Sequence, residues 1–154
     1  MKSHSFTKIN LIMLSCCPMM PHLYPYVICQ TWGILTSFHV PFLMNPDAMK
    51  KLNEKINNKL VIGNLITHII PAGITLIYKP KKITIKNGII ASVIHLSWGL
   101  YISDGSLSLS NIYAPLNLKE WHILWTVAIL TEITTPFIYN KYLSKLRKNK
   151  ALKN

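Results

Sequence analysis

The sequence predicts an all-α membrane protein, a bundle of about four transmembrane helices with the N- and C-termini in the cytoplasm. Half of the 154 residues are hydrophobic and only 14% are charged, whereas a soluble domain carries about a quarter charged residues. The mean hydropathy is positive, at +0.28. The charged residues are also confined to short blocks, and the apolar stretches between these blocks have the length needed to cross a bilayer.

Four stretches meet this length requirement, which is about 20 apolar residues at 1.5 Å each. None of them contains more than one formal charge. The predicted spans are residues 23–44, 60–78, 84–103 and 121–140, which together form a transmembrane bundle over residues 23–140.

The first 22 residues are expected to form a separate segment. An apolar run over residues 9–20 is too short to span a membrane, and it is preceded by Lys2 and Lys8. This pattern is typical of an interfacial or re-entrant stretch, with a signal peptide as the alternative. Residues 1–22 are therefore predicted to be interfacial or signal-like.

The charges between the spans predict the orientation. Residues 79–87 carry +4 and residues 141–154 carry +6, whereas residues 104–120 carry −1. The positive-inside rule then puts the first two segments in the cytoplasm, so residues 141–154 form a basic cytoplasmic tail. The same orientation places residues 45–59 on the outer side of the membrane, although their charge of +2 would favour the cytoplasmic side.

The net charge of +12 points to membrane lipids as partners, because a basic segment beside a span is attracted to anionic headgroups. Nucleic acid is not an expected partner, since Arg147 is the one arginine and arginine supplies most bidentate base and phosphate contacts. No cofactor or metal site is predicted either. The three cysteines form no CxxC pair and the histidines lack ligand spacing.

Three ionisable residues lie near the middle of predicted spans, where hydrocarbon disfavours them: His68, His95 and Glu132. Asn64 precedes His68 by four residues, so the two should share a helix face and the amide could hold the imidazole. His68 could then act as a general base or proton carrier. The alternative is that both histidines are neutral and bond neighbouring helices, with Glu132 as their partner or as a protonated packing residue.

The chain resembles the androgen-induced (ADTRP-like) membrane proteins over about residues 22–142. The residues that carry the resemblance are Asn64, His68 and Pro71 in one span, followed by Lys79-Pro80-Lys81, Trp98 and Tyr113-Ala114-Pro115-Leu116. The resemblance implies an intramembrane threonine and histidine that hydrolyse fatty-acid esters of hydroxy fatty acids. It also implies the endoplasmic reticulum or plasma membrane as location, and His68 matches the family histidine.

The family span that carries the nucleophilic threonine is expected to be missing or reduced in this chain. Thr31 and Thr36, on the span before His68, are therefore the candidate nucleophiles, and Asn64, His95 and Glu132 are expected to line the site. Whether the chain is an enzyme stays open at this point. One alternative is a non-catalytic membrane scaffold or lipid-binding protein, and another is a small proton or solute carrier that would need to form a homo-oligomer.

Overall fold

The structure, a computed structural model, describes residues 6–55, 59–77, 82–109 and 116–151, with side chains between residues 7 and 142 of these ranges. All regular secondary structure in the described ranges is helical, so the prediction of an all-α fold is confirmed. The six helices are α1 (Phe6–Cys16), α2 (Tyr24–Met44), α3 (Pro46–Lys55), α4 (Leu60–Ile77), α5 (Ile85–Ile102) and α6 (Leu118–Ala151).

Three long helices lie within one residue of the predicted spans, and α6 is longer than its predicted span. It begins three residues before residue 121 and continues to Ala151, so the described part of the predicted tail is helical. The stretch predicted as a loop over residues 45–59 contains α3. Asn45 caps α3, because its Oδ1 accepts the Ala48 N–H at 3.0 Å.

Among the four long helices, α6 packs most extensively, against α2 and α5. At one end of the bundle, the Asn140 side chain of α6 bonds both the N–H and the carbonyl of Ile83, just before α5 begins. At the same end, the Tyr139 hydroxyl donates to the Thr75 carbonyl near the end of α4, at 3.0 Å. We call this the basic end, since Lys82 and Lys141 also lie there.

The opposite end, which we call the α3 end, is closed by α3 and by the segments around the end of α5. Met49 of α3 packs in one buried cluster with Leu60, Ile102 and Trp121, which lie at the start of α4, the end of α5 and the start of α6. Helices α2 and α5 therefore run from the basic end to the α3 end, and α4 and α6 run back.

Helix α1 lies antiparallel along the first half of α2. Asn10 donates to the Thr31 hydroxyl at 2.9 Å, and Leu14 and Cys17 pack with Val27. With 11 residues, α1 is about 16 Å long, which is about half the thickness of a bilayer core. The segment predicted to be interfacial or signal-like thus contains a half-length helix packed against the bundle.

The outward faces of the long helices carry many large apolar side chains, and the mainly apolar interior also contains polar groups. On α4, Val61 is 78% and Ile77 is 74% exposed. The buried polar or charged residues in the described part of the chain are Asn10, Gln30, Thr31, His68, Thr75, Ser92, His95, Glu132 and Thr135. A water-soluble fold has the opposite arrangement, with charged and polar groups outside and few buried polar groups.

Two stretches are long and apolar enough to cross a membrane, Pro21–Met44 and Leu60–Ile77. Helices α5 and α6 fall outside this set, although their outward faces carry residues such as Val93 and Phe137. Within α5 and α6, the side chains of His95 and Glu132 are buried.

Candidate functional site

A cavity of about 140 Å³ lies inside the half of the bundle nearer the α3 end. It is bounded by residues from all six helices and from the segments between α5 and α6. The lining residues are Thr7, Ile34, Ser37, Phe38, Pro41, Met49, Leu52, His68, His95, Trp98, Leu109, Leu116, Trp121, Leu124, Trp125 and Ala128. Its walls are therefore mainly aromatic and aliphatic, with two imidazoles among them.

Trp125 fixes one wall of the cavity. Its indole N–H donates to the Leu107 carbonyl at 2.8 Å, which holds the segment after α5 against α6. Its ring meets the His95 imidazole edge-on, with centroids 5.1 Å apart. Buried tryptophans usually find a partner for the indole N–H, and here that bond holds the ring at the cavity wall.

His95 of α5 forms a buried pair with Glu132 of α6, with 2.7 Å between His95 Nδ1 and Glu132 Oε1. Glu132 is fully buried and His95 is 6% exposed. One proton lies along this contact, either on the imidazole, which then donates to the carboxylate, or on the carboxyl, which then donates to Nδ1. The pair orients the imidazole at the cavity wall, as a carboxylate behind a histidine does in sites of acid–base chemistry.

Two glycines give Glu132 room in the middle of the bundle. A Cβ at position 33 would lie 2.5 Å from Glu132 Cγ and 2.7 Å from its Oε1. A Cβ at position 88 would collide with the Glu132 carbonyl oxygen and lie 3.0 Å from the Ile133 Cα. Gly33 therefore leaves space for the side chain, and Gly88 allows α5 and α6 to approach closely.

His68 reaches the same cavity from α4. It stacks on Phe38 with ring centroids 4.2 Å apart and an interplanar angle of 23°, and it is 7% exposed. Its Nδ1 has no hydrogen-bond partner among the described residues. The structure thus brings His68 of α4 and His95 of α5 to one cavity.

The π turn over Leu65–Ile69 sets the direction of the His68 side chain. Within this turn the Ile70 N–H bonds the Leu65 carbonyl, five residues back. Pro71 follows directly, and a proline removes an N–H and crowds the carbonyl four residues before it. The wider turn accommodates both effects, and such turns recur at functional sites.

The expectation that Asn64 holds His68 is wrong. The Asn64 amide instead donates to His39 Nε2 at 3.1 Å, while His39 Nδ1 bonds the Leu35 carbonyl at 2.6 Å. The physical reason is the π turn, which adds a residue to the helical repeat, so that residues 64 and 68 no longer align as they would in a regular α-helix.

The candidate nucleophiles Thr31 and Thr36 are engaged elsewhere. The Thr31 hydroxyl donates to the Val27 carbonyl at 2.7 Å and accepts from Asn10. Thr36 bonds the Trp32 carbonyl and lies 3.0 Å from the Thr131 hydroxyl. Neither of them is among the residues that line the cavity, so the structure does not bring the candidate threonines to His68.

Thr7 and Gln30 are not among the site residues that the sequence predicts. Thr7, near the start of α1, lines the cavity, and Gln30 is fully buried near the middle of α2. Gln30 had a detectable signal, since an amide inside an uncharged span is unusual. His39 is likewise a polar residue inside an uncharged span, but the sequence analysis pairs Asn64 with His68 and not with His39.

Two segments that carry the family resemblance, Lys79-Pro80-Lys81 and Tyr113-Ala114-Pro115, lie outside the described residues. The comparisons with known proteins found no matching family model, no matching curated protein and no matching solved structure. The family resemblance therefore stays a prediction, and the chemistry of the site has to be argued from its geometry.

Proposed function

We propose that this protein is a multi-pass membrane protein in which α2, α4, α5 and α6 cross the bilayer. The observation that carries the proposal is the reversed polarity of the bundle, which exposes Val61, Ile77 and Phe137 while Gln30 and Glu132 are buried. Water would disfavour this arrangement. A bilayer favours it, because polar groups inside a membrane turn toward the bundle interior and contiguous apolar surfaces meet lipid.

In the proposed orientation the basic end faces the cytoplasm, in the membrane of the endoplasmic reticulum or in the plasma membrane. Lys82, Lys86 and Lys141 lie at this end, where anionic lipid would attract them. Helix α3 then lies at the opposite interface. Its buried Ala48 and Met49 face the bundle, which leaves its lysines to the headgroups.

Within this membrane protein, we propose that the cavity binds a lipid-derived ligand with an apolar body and one hydrogen-bonding group. Its volume of about 140 Å³ is close to that of apolar cavities of about 150 Å³ that hold a six-carbon ring. It would therefore accept part of a lipid, such as the end of a chain or the region next to a carbonyl. Phe38 and Trp125 offer apolar contact, and the unpartnered His68 Nδ1 offers a polar one.

Photocrosslinking in lipid nanodiscs tests this proposal. A fatty acid that carries a diazirine should label residues around the cavity, and Ala128→Leu should reduce labelling several-fold because Ala128 lines the cavity and is 1% exposed. Thr134→Leu is the control, since it places the same leucine side chain on the exposed face of the same helix. Equal labelling of the two variants would refute the cavity as the binding site.

A second candidate is a lipid-ester hydrolase, the activity that the resemblance implies. The observation that favours it is the His95–Glu132 pair at the cavity wall. In this reading His95 takes a proton from an attacking hydroxyl or water, the new bond forms at the ester carbonyl carbon, and the alkoxide leaves with that proton. Glu132 acts as the positioning residue for the imidazole.

Hydrolysis of a fatty-acid ester of a hydroxy fatty acid by the purified protein would test the second candidate. His95→Phe should abolish turnover if His95 is the base, whereas His68→Ala should abolish it if the base is the histidine that matches the family. A fluorophosphonate probe would label an activated hydroxyl. Absence of turnover in folded wild type would leave the lipid-binding proposal in force and remove the enzymatic one.

A further inference from the structure

The middle of the bundle contains four buried polar atoms that have no hydrogen-bond partner in the described part of the chain. They are Glu132 Oε2, both side-chain polar atoms of Gln30 and the Ser92 hydroxyl. Glu132 and Gln30 are fully buried and Ser92 is 6% exposed. An unpaired buried polar group costs about 1–3 kcal/mol, so a group of them indicates that something else satisfies them.

Gln30, Ser92 and Glu132 belong to three neighbouring helices, α2, α5 and α6, and Gln30 and Ser92 lie close in sequence to residues that contact Glu132. Gln30 lies one turn before Gly33, the residue that packs directly on the Glu132 side chain. Ser92 lies between Gly88, which packs on the Glu132 backbone, and His95, which bonds Glu132 Oε1. Residues three or four apart share a helix face, so Gln30 and Ser92 are on the faces of α2 and α5 turned toward Glu132.

The oxygen atoms of these side chains are of the kind that bind hard cations. They comprise a carboxylate oxygen, an amide oxygen and a hydroxyl oxygen, the ligand types that alkali and alkaline-earth ions prefer. No cluster of His, Cys, Asp and Glu suited to a transition metal occurs in the residues that the structure describes.

The charge balance favours a monovalent ion. Glu132 is the one acidic side chain among the buried residues described, and neither lysine nor arginine is buried beside it. In the arrangement in which an uncharged imidazole donates Nδ1–H to Oε1, the carboxylate keeps one uncompensated negative charge. An ionised carboxylate in a low-dielectric interior requires such compensation, and one small monovalent cation on Oε2 supplies it.

We infer that the Glu132, Gln30 and Ser92 side chains form a binding site for a small monovalent cation of the sodium type. The oxygens of the three side chains coordinate the ion, and a water carried by the ion accepts from the Gln30 amide. The site lies behind His95, which separates it from the cavity. It thus links α2, α5 and α6 near the close contacts at Gly33 and Gly88.

Thermal unfolding of the purified protein in nanodiscs tests the inference, with sodium chloride titrated against potassium and choline chloride at constant ionic strength. Sodium should raise the unfolding temperature of wild type in a saturable way, as a ligand of the native state does, and more than potassium or choline does. Glu132→Gln should weaken the apparent sodium affinity about tenfold or more, which corresponds to a loss of at least about 1.4 kcal/mol. Glu54→Gln is the matched control, because Glu54 is exposed on α3.

Gln30→Leu and Ser92→Ala provide a second route if Glu132→Gln does not fold, and each should shift the sodium midpoint to higher concentration. Line broadening of the sodium-23 resonance by wild type should fall in the same variants. Equal stabilisation by sodium, potassium and choline would overturn the inference and leave the four atoms as a site for water only. A sodium effect that persists unchanged in the Glu132 variant would overturn the location.

Discussion

A close contact between the backbones of α5 and α6 gives a prediction with a matched control variant. Gly88→Ala adds a Cβ that would collide with the Glu132 carbonyl oxygen, and that would lie 3.0 Å from the Ile133 Cα. These are backbone atoms of α6, so no side chain can turn away. Ordinary contacts begin at 3.4 Å, so α5 and α6 would have to separate by about 0.5–1 Å to relieve the overlap.

Two opposing contributions set the size of the effect. Overpacking of this kind costs about 1–3 kcal/mol, while replacing a helical glycine with alanine gains about 0.5–1 kcal/mol. Gly73→Ala isolates the second contribution, because a Cβ at position 73 has no neighbour within 4 Å among the described atoms. The Gly88 variant should therefore be less stable than the Gly73 variant by about 1–3 kcal/mol.

Reversible unfolding in mixed micelles, followed by the loss of helical circular dichroism, measures this difference. The comparison of the two variants matters more than either value relative to wild type, since the helix-propensity gain is common to both. A Gly88→Ala protein as stable as Gly73→Ala would refute the close crossing of α5 and α6.

Three further predictions concern the buried pair, the cysteines and the orientation. His95→Leu should cost about 3–5 kcal/mol because it leaves the Glu132 carboxyl without its partner, and His95→Leu/Glu132→Leu should recover part of this loss; additive effects in the double-mutant cycle would contradict the pairing. Burial, with a smaller contribution from Cys16, raises the pKa of Cys17 to about 11, and the thiolate is the reactive form. Maleimide should therefore label the more exposed Cys16 first, and the rate at Cys17 should still be rising with pH above pH 9; a plateau near neutral pH would contradict this. In a background without native cysteines, Lys141→Cys should react with a membrane-impermeant maleimide only after the cytoplasmic side is opened, whereas labelling of intact cells would reverse the orientation.

The extent to which the sequence predicts this fold differs between the helices and their contacts. The long helices α2, α4 and α5 begin and end where charge and hydropathy predict, because both properties are local. Helix α3 was missed, since its amphipathic pattern has only two buried residues, Ala48 and Met49, among charged ones. The continuation of α6 through the basic tail was missed as well, because a run of lysines is as compatible with a loop as with a solvated helix.

Of the predicted site residues, His68 and His95 line the cavity, whereas Asn64, Glu132 and the two threonines are not among its lining residues. His68, His95 and Glu132 were selected because ionisable groups are rare at this depth of a span, and the structure buries all three. The sequence does not show which histidine Glu132 contacts. In the structure, His95 Nδ1 lies 2.7 Å from Glu132 Oε1. The preference for a threonine near His68 came from the family resemblance, and the hydroxyls of Thr31 and Thr36 instead bond backbone carbonyls on their own helix.

The sequence by itself determined that the chain is helical, that its apolar segments are of bilayer length, and that a few polar groups lie midway along them. Composition and spacing suffice for these properties, since each depends on residues that are neighbours in the chain. Only the tertiary structure decided that Glu132 meets His95, that Asn64 meets His39, and that two imidazoles share one aromatic cavity. Those contacts depend on how far each helix is rotated about its axis, and the close approach at Gly88 and the π turn before Pro71 set that rotation.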